Sequence, residues 1–518
     1  MSAKLQPIEP DGVVHARAGR WWALAALVVS GLVIGLDSTV LITALPTLSA
    51  KLGATTADLQ WIAAGYTLAL GGLLLPGGVL GDRFGRKRLL LVGLAIFGIS
   101  SVVASQVTTA GALIAARALM GVGAALVLPL SLSILPSMFT EQERPRAVSA
   151  AAAGAFLGLP LGPVLAGWLL SHYFWGSVFL INAPVVVIAL LGVWFLVPES
   201  KDPHPRAFDW LGMVLAVVGV TALVYGVIEQ PIHGWSDARV LTAVIGGGLI
   251  LAAFVAWDLR HHSPFVDLRN FRSRGFTWAT SAFVITGFAL FGVMFILTPY
   301  IQIVLGNDAQ ATGIKLLPLI GGVLVGAIGG NVLAARLGAR LSVTAGLLVC
   351  AAGLVAFSRV GADTGYGLVA VSLAVTGFGL GIALPTTLDI ILGTLPADQT
   401  GAGSALTRAL QQIAASFGVA ILGSILSNTY QSSLAPHLTG LPSALRGTAQ
   451  GSVAAAHAIA AHLPLAAGAP LIRAANDAYT QGLATVMLVS AALVIAAAIL
   501  IAIFLPSRIT KIDAGELA

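Results

Sequence analysis

The chain has 518 residues, of which 57% are hydrophobic and only 9% are charged, and its mean hydropathy is +0.94. Because a soluble protein carries roughly 25% charged residues, this composition excludes an ordinary set of soluble domains. The formal net charge of +6 is modest and is better explained by loop charges that set membrane topology than by a nucleic-acid-binding surface.

Apolar runs of about 20 residues recur along the whole chain, and this is the length of a membrane-spanning helix. Strands of a β-barrel would be about half as long and would alternate. The first run, Trp21 to Leu45, is too long for a signal-peptide core, so we predict a retained helix. The sequence thus predicts an all-α integral membrane protein. Its fourteen expected spans lie at about 21–45, 59–81, 89–106, 109–135, 147–170, 176–197, 209–229, 238–258, 276–298, 312–334, 341–360, 367–393, 403–427 and 482–505.

Positive charges are distributed unevenly between the predicted loops. With the N-terminus placed in the cytoplasm, twenty of the 27 Lys and Arg residues fall in inner segments and six fall on the outer side. The remaining one, Arg117, lies within a span. Because cytoplasmic loops are enriched in Lys and Arg, this distribution supports the number of spans and a cytoplasmic location of both termini.

Two sequence patterns recur at nearly the same offset. Residues 121–129, GVGAALVLP, match residues 377–385, GFGLGIALP, at an offset of 256. The stretch VLGDRFGRKR has a partial copy in VLAARLGAR at 332–340, at an offset of 253. An even number of spans separates the copies, so both have the same orientation. Parallel repeats about an axis along the membrane normal are typical of transporters.

We therefore predict two six-helix bundles joined by two inserted helices. The C-terminal bundle includes a long extracytoplasmic loop, 428–480, which is either a surface cap or a spacer. The predicted divisions are a cytoplasmic N-terminal tail at 1–20, the N-terminal bundle at 21–197, the inserted helices at 198–275, the C-terminal bundle at 276–505 and a cytoplasmic C-terminal tail at 506–518.

The loop after the second span reads GVLGDRFGRKRLL, residues 78–90. Gly78 allows two helices to approach closely, Gly85 permits a tight turn, and Asp82 is placed to pair with cations and to stabilise a neighbouring helix N-terminus. Basic residues hold the loop on the inner side: Arg83, Arg86 and Lys87. The pattern resembles the signature loop of the major facilitator superfamily, which implies that fold and a gating role for this loop.

Further stretches extend the resemblance. RALMGVGAA, which contains Arg117, is similar to a pattern of that superfamily, although Met120 stands where Gln is usual. LDSTVLITALP at 36–46 and FLINAP at 179–184 resemble the fourteen-helix drug:proton antiporter subfamily of multidrug and antibiotic exporters, whereas Gly176 departs from its usual Trp-Arg-Trp. GLPLGPVLAG in the fifth span resembles an antiporter motif, which carries over to Gly158, Gly162, Pro163 and Gly167.

Asp37 is an ionisable residue in an otherwise apolar span, where a charge costs roughly 2.5–3.5 kcal/mol. Helix rise places Asp37 and Arg117 at a similar depth in the membrane. Burial favours the neutral carboxyl, whereas a nearby guanidinium favours the charged form. If Arg117 approaches in one state and withdraws in the other, Asp37 binds and releases a proton. The alternative is a static ion pair that fixes helix packing.

Other residues are candidates for a substrate cavity. Trp61, Tyr66 and Phe156 lie on spans that the resemblance places around the cavity, and aromatic rings stack against lipophilic cations; lipid-facing or core packing is the alternative. Asp389 is placed to attract a cationic substrate or to pair with Arg408. The nine histidines show no metal-ligand spacing.

The sequence therefore predicts a proton-coupled antiporter, without catalytic residues, metal or other cofactor, that exports hydrophobic cationic or neutral drugs across the cytoplasmic membrane. We expect a monomer in a lipid bilayer, with a small hydrophobic substrate and protons as partners and no nucleic acid. One alternative is a dedicated exporter of one metabolite, lipid or self-made antibiotic. An importer, a membrane enzyme and a receptor are less favoured, because the fifth span argues against import and no polar catalytic cluster or soluble domain is present.

Overall fold

The computed structural model describes residues 19–140, 142–202, 209–261, 266, 268–395, 400–439 and 441–506. Regular structure in these residues is helical. The helices are α1 (Arg20–Leu52), α2 (Thr56–Phe84), α3 (Arg86–Ala104), α4 (Ala110–Ser133), α5 (Arg144–His172), α6 (Ser177–Leu180), α7 (Asn182–Leu196), α8 (Trp210–His233), α9 (Ala238–Asp258), α10 (Arg274–Pro299), α11 (Ala309–Lys315), α12 (Leu317–Leu337), α13 (Ala339–Phe357), α14 (Tyr366–Thr394), α15 (Thr400–Leu434), α16 (Ser443–Gly451), α17 (Val453–Ala461) and α18 (Leu465–Phe504).

Every predicted span overlaps at least one of these helices. Thirteen helical segments of the described residues are long and apolar enough to cross a membrane. The predicted span at 147–170 coincides with the 29-residue helix α5, which is not among the thirteen and includes residues whose side chains are not described. The chain is thus a multi-pass membrane protein. We call the end of the bundle that carries the α2–α3 turn the inner end.

The sequence repeat corresponds to a repeat in packing. A Cβ atom on Gly121 of α4 would collide with the Tyr66 carbonyl of α2, and one on Gly377 of α14 would collide with the Leu319 carbonyl of α12's N-terminal end. Two residues further on, the glycines of α4 and α14 contact the backbones of α3 and α13 in the same way. Small residues at these positions therefore allow both halves to build the same close helix packing.

A second pair of contacts relates α1 and α5 to α10 and α15. Gly162 of α5 packs on the Leu36 carbonyl of α1, and Gly418 of α15 packs on the Phe288 carbonyl of α10. The two glycines are 256 residues apart, the same offset as the repeat. Leu36 and Phe288 are therefore equivalent positions in the two bundles.

The inserted helices α8 and α9 pack against each other, and α8 covers the junction between α2 and α15. Trp61 of α2 lies beside Tyr225 of α8, with ring centroids 6.0 Å apart. From α15, the Ser424 hydroxyl donates to the Val227 carbonyl at 2.8 Å. The insertion thus contacts both bundles at one lateral face of the protein.

The segment predicted as an extracytoplasmic loop, 428–480, is largely helical. α15 continues to Leu434 and α18 begins at Leu465, so the connection between them is much shorter and carries α16 and α17. Hydropathy marks where a segment leaves the membrane, whereas Ala-rich sequence continues a helix into water. α17 packs on α18 and reaches the outer end of α1.

Candidate coupling site and cavity

Asp37 and Arg117 form a buried ion pair. Arg117 Nη1 lies 2.6 Å from Asp37 Oδ2, and each residue is 1% exposed. α1 and α4 bring the two side chains to the same depth, as their positions in the sequence predict. In a low-dielectric interior the loss of either partner leaves an uncompensated charge, which costs about 3–5 kcal/mol.

Asn182 is a further ligand of the carboxylate, and the sequence assigned it no role. Its Nδ2 donates to Asp37 Oδ1 at 3.1 Å and to Ser101 Oγ at 3.0 Å. The Ser101 hydroxyl donates in turn to the Phe179 carbonyl at 2.8 Å. The Asn182 Oδ1 atom is buried without a hydrogen-bond partner among the described residues. Helices α3 and α7 therefore fix the side of the carboxylate that faces away from Arg117.

The guanidinium of Arg117 has a largely apolar and aromatic environment. Its Cζ lies 4.3 Å from the centre of the Tyr66 ring, a cation–π geometry. Nε donates to the Ile62 carbonyl at 3.4 Å, and Met120 Sδ is 4.0 Å from Nη1. Met120 thus contributes only a weak acceptor, and Asp37 is the main polar partner of Arg117.

The ion pair occurs in only one of the two repeats. By the equivalences of the glycine contacts, Asp37 corresponds to Ala289 and Arg117 to Leu373, both buried. The C-terminal bundle therefore makes the same helix packing with apolar residues. This type of helix packing therefore does not by itself require a charged pair.

A narrow cavity lies beside the pair, between the two bundles. The volume of this cavity is about 30 Å³, which is enough for one or two water molecules. Drug-sized ligands occupy pockets of about 300–1,000 Å³, so cargo requires a wider state. Arg117 lines this cavity and Asp37 does not. Its other lining residues are Ser38, Leu41, Ile42, Leu45, Ala63, Tyr66, Thr67, Phe291, Phe295, Gln412, Ala415 and Val419.

Polar contacts between the bundles lie at the outer end and along the α2–α15 junction. Thr56 Oγ1 donates to the Gly451 carbonyl at 2.8 Å, and Ser49 Oγ and Ser452 Oγ are 3.3 Å apart. Gln60 Nε2 donates to the carbonyls of Val419 and Ala420 at 3.0 and 2.9 Å. Closer to the cavity, the hydroxyls of Thr67 and Ser416 are 2.6 Å apart. These contacts close the outer side of the cavity.

The predicted antiporter motif on α5 packs directly on the helix that carries Asp37. A Cβ on Gly158 would collide with the backbone of Leu36, and one on Gly162 would collide with Thr39 Oγ1. Nearer the outer end, Gly167 packs on the Ala309 carbonyl of α11, and the Pro163 carbonyl packs on Gly313. The motif therefore joins α1 to α5 and, through α11, the N-terminal bundle to the C-terminal one.

The predicted gating loop forms a turn that is fixed from both sides. Gly85 has φ +110°, in the region that favours glycine, and the Asp82 carboxylate pairs with Arg86 Nε at 2.8 Å. The N-terminus of α3 is capped by Glu199, which accepts from the amides of Lys87 and residue 88 at 3.1 and 3.2 Å. Pairing of Asp82 with a cation is thus observed, but the helix N-terminus is capped by another acid.

The other residues of this turn, and the glycine just before it, make contacts outside the Asp82–Arg86 pair. The close approach predicted for Gly78 is wrong, because a Cβ there would meet only Pro129 Cβ, at 3.8 Å. One turn apart on the neighbouring face, Gly77 and Gly81 make the close contacts with α4 instead. Arg83 Cζ lies 5.7 Å from the Phe84 ring, at the surface. Close packing of α2 on α4 therefore depends on Gly77 and Gly81.

The remaining cavity candidates have different positions. Tyr66 lines the cavity, as predicted. Trp61 does not, since it packs with Tyr225 in an apolar cluster beneath α8. The Phe156 side chain lies outside the described residues. Asp389 is exposed near the inner end of α14 and forms no ion pair with Arg408 or another described residue. Among the described residues no cluster of three His, Cys, Asp or Glu side chains could hold a metal ion.

Comparisons with known proteins identify the family and the fold. The family model of the Major Facilitator Superfamily matches residues 27–419. The chain is 34% identical over 426 residues to the tetracenomycin C resistance and export protein of Streptomyces glaucescens, covering 81% of this chain and 79% of that protein. It is 33% identical over 487 residues to the multidrug efflux pump LfrA of Mycolicibacterium smegmatis, covering 93% and 96%. Its fold is similar to that of a bacterial homologue of the human lysosomal transporter Spinster, with a TM-score of 0.65, 16% identity and coverage of 96% and 100%.

Proposed function

The chain belongs to the major facilitator superfamily, a family of membrane transporters, and from this premise we propose that it exports hydrophobic drugs or antibiotics, cationic or neutral, in exchange for protons. The similarity to two relatives, a resistance and export protein and a multidrug efflux pump, supports export. The observation that carries the coupling is the buried pair of Asp37 and Arg117, which occurs in one repeat only.

Asp37 is the proton carrier in this proposal. When it is ionised, Arg117 and Asn182 both donate to it. When it is protonated, the attraction of Arg117 is lost. An amide serves both states, because Nδ2 donates to a carboxylate and, after a flip, Oδ1 accepts from a carboxylic acid. The unpartnered Asn182 Oδ1 supports this second arrangement.

Arg117 transmits the protonation state to the cargo. Its side chain contacts both Asp37 and the cavity, whereas Asp37 itself does not line the cavity. In the ionised state Asp37 retains the guanidinium. After protonation Arg117 is released toward the cavity and competes with cargo for that space. Binding of cargo and protonation of Asp37 therefore exclude each other, and antiport requires this negative coupling.

The contacts between the bundles define what must change during transport. Release of cargo at the outer end requires the separation of Thr56 from Gly451 and of Ser49 from Ser452. At the inner end, the pair of Asp82 and Arg86 holds the α2–α3 turn in one arrangement. We assign this turn a gating role, because it lies where α2 meets the segment after α7.

The proposed location is the cytoplasmic membrane, with both termini on the cytoplasmic side and the protein acting as a monomer in the bilayer. The distribution of Lys and Arg supports this orientation. Protons need no bound cofactor, and a membrane potential of 100 mV supplies about 2.3 kcal/mol for each charge moved. That energy drives export without ATP.

The test is transport by purified protein in lipid vesicles. A lipophilic dye should be moved against its gradient when a pH gradient is imposed, and a panel of cationic and neutral dyes should show how broad the cargo is. Asp37→Asn, reconstituted to the same density, is the control. Dye movement that does not depend on the pH gradient would contradict the proposal, and movement of one compound alone would favour a dedicated exporter.

A further inference from the structure

Arg408 is a second cation within the spans, and the coupling mechanism does not use it. It lies two turns into α15, near the inner end of a candidate membrane span. Its side chain is partly exposed, and it makes no hydrogen bond or ion pair with any residue that the structure describes. A cation at this depth requires a partner or water.

The helical period places Arg408 on the face of α15 that lines the cavity. At 100° per residue, Gln412 and Ala415 lie about 40° and 20° on either side of the direction of Arg408. Both of these residues line the cavity, and Gln412 packs against Gly71 of α2. Arg408 therefore lies on the same face of α15, one turn closer to the inner end than Gln412. An arginine that extends along lipid to the headgroups would lie on the opposite face.

Among the residues that the structure describes, no acid pairs with Arg408. Asp37 is already bound by Arg117 and Asn182. Asp389 is exposed on α14 and forms no ion pair with Arg408. On the cavity-facing side of α15, below Gln412, Arg408 therefore carries a guanidinium that has no protein partner in the described part of the chain.

We propose that Arg408 binds an anionic oxygen of the cargo, a carboxylate or a phenolate on an otherwise hydrophobic molecule. A guanidinium binds planar oxyanions through two parallel hydrogen bonds. This inference rests on the proposed function and adds acidic and zwitterionic lipophiles to its cargo. It places recognition of the acid on the C-terminal bundle, away from the proton carrier on the N-terminal one.

The test compares two dyes that differ in one carboxylate, rhodamine B and its ethyl ester, by equilibrium binding to the full-length protein in detergent at neutral pH. The wild type should bind the acid more tightly than the ester. Arg408→Gln should weaken binding of the acid about tenfold, which corresponds to about 1.4 kcal/mol, and leave the ester nearly unchanged. Arg408→Met serves as the neutral variant if Arg408→Gln does not fold, and Arg408→Lys should be intermediate.

The control is Arg336→Gln, which removes an exposed arginine at the inner end of α12 and should change neither affinity. Three results would overturn the proposal: no preference for the acid in the wild type, the same preference after Arg408→Gln, or an equal loss with Arg336→Gln. These measurements need no gradient. Absence of proton-driven movement of the ester in vesicles would instead contradict the exporter, and the binding preference would still decide the role of Arg408.

Discussion

Asp37 and Arg117 are joined across two helices at 2.6 Å, and only the arginine of this pair lines the cavity. In the proposed mechanism the carboxylate is thereby separated from cargo by the residue that responds to its charge. Cargo of different shapes would then be coupled to the same proton, because the proposed proton carrier makes no direct contact with it.

Removal of Arg117 should retain the proton on Asp37. In Arg117→Ala the buried carboxyl loses its cation, so the neutral form is favoured. Because Arg117 is also the link between Asp37 and the cavity, cargo-induced proton release should be lost, and turnover at neutral pH should fall by about tenfold or more. Arg117→Lys should recover part of the turnover, because a point charge remains. Proton release on addition of cargo is measured with purified protein in detergent.

Asn182→Ala provides a graded comparison for the same proton release. It removes a neutral donor, which stabilises an ionised carboxylate less than a guanidinium does. Cargo-induced proton release should therefore fall by a smaller amount. Wild-type proton release by Arg117→Ala would show that the two charges are not coupled.

Overpacking at Gly158 should disturb the position of Asp37. A Cβ there would collide with the backbone of Leu36, and overpacking of this kind costs about 1–3 kcal/mol. Gly158→Ala should therefore lower the thermal midpoint and reduce transport roughly tenfold. Gly321→Ala is the matched control, because nothing lies within 4 Å of a Cβ at that helical position. Equal behaviour of the two variants would argue against a specific role of the close contact.

Asp82→Ala should slow transport and leave cargo binding unchanged. The carboxylate is partly exposed, and an ion pair of this kind contributes only about 0–1 kcal/mol to stability. The variant should fold normally while the α2–α3 turn loses its pair with Arg86. Turnover in vesicles and dye affinity in detergent separate the two effects. Loss of both, or of neither, is the result that a gating role does not allow.

A disulfide across the outer contact should stop export. The hydroxyl oxygens of Ser49 and Ser452 are 3.3 Å apart, so Ser49→Cys with Ser452→Cys places two thiols within bonding reach. Oxidation should block export while cargo still binds from the inner side, and a reductant should restore transport. The native Cys350 is buried.

The matched controls for this experiment are the single variants Ser49→Cys and Ser452→Cys. Each carries one of the two new thiols and cannot form the cross-link between them. Oxidation of either single variant should leave export intact. Undiminished export by the Ser49–Ser452 variant, with the cross-link verified by mass spectrometry, would show that this contact need not open.

The sequence predicted the ion pair because a charge in an apolar span is costly and helix rise fixes its depth. It did not predict the role of Asn182, because one amide near a helix start carries no comparable signal. The placement of Trp61 failed for a geometric reason. Five residues separate it from Tyr66, which turns the two side chains about 140° apart on α2, so only one of them can face the cavity.

The repeat was visible because glycines are required wherever one helix backbone touches another. Gly121 and Gly377 therefore stand out at a constant offset. At their outer ends, α15 and α18 extend beyond the predicted spans, because hydropathy indicates the membrane-spanning part of a helix and not its full length. Contacts such as that of Ser49 with Ser452 depend on how distant segments meet, and no local pattern in the chain specifies them.

The most direct test of the central claim is the number of protons that purified protein releases into weakly buffered detergent solution when cargo is added. The wild type should release protons in proportion to the cargo bound. Asp37→Asn should bind the same cargo and release no protons, because the asparagine amide is not an ionisable group. Proton release by Asp37→Asn equal to that of the wild type would show that another group carries the proton.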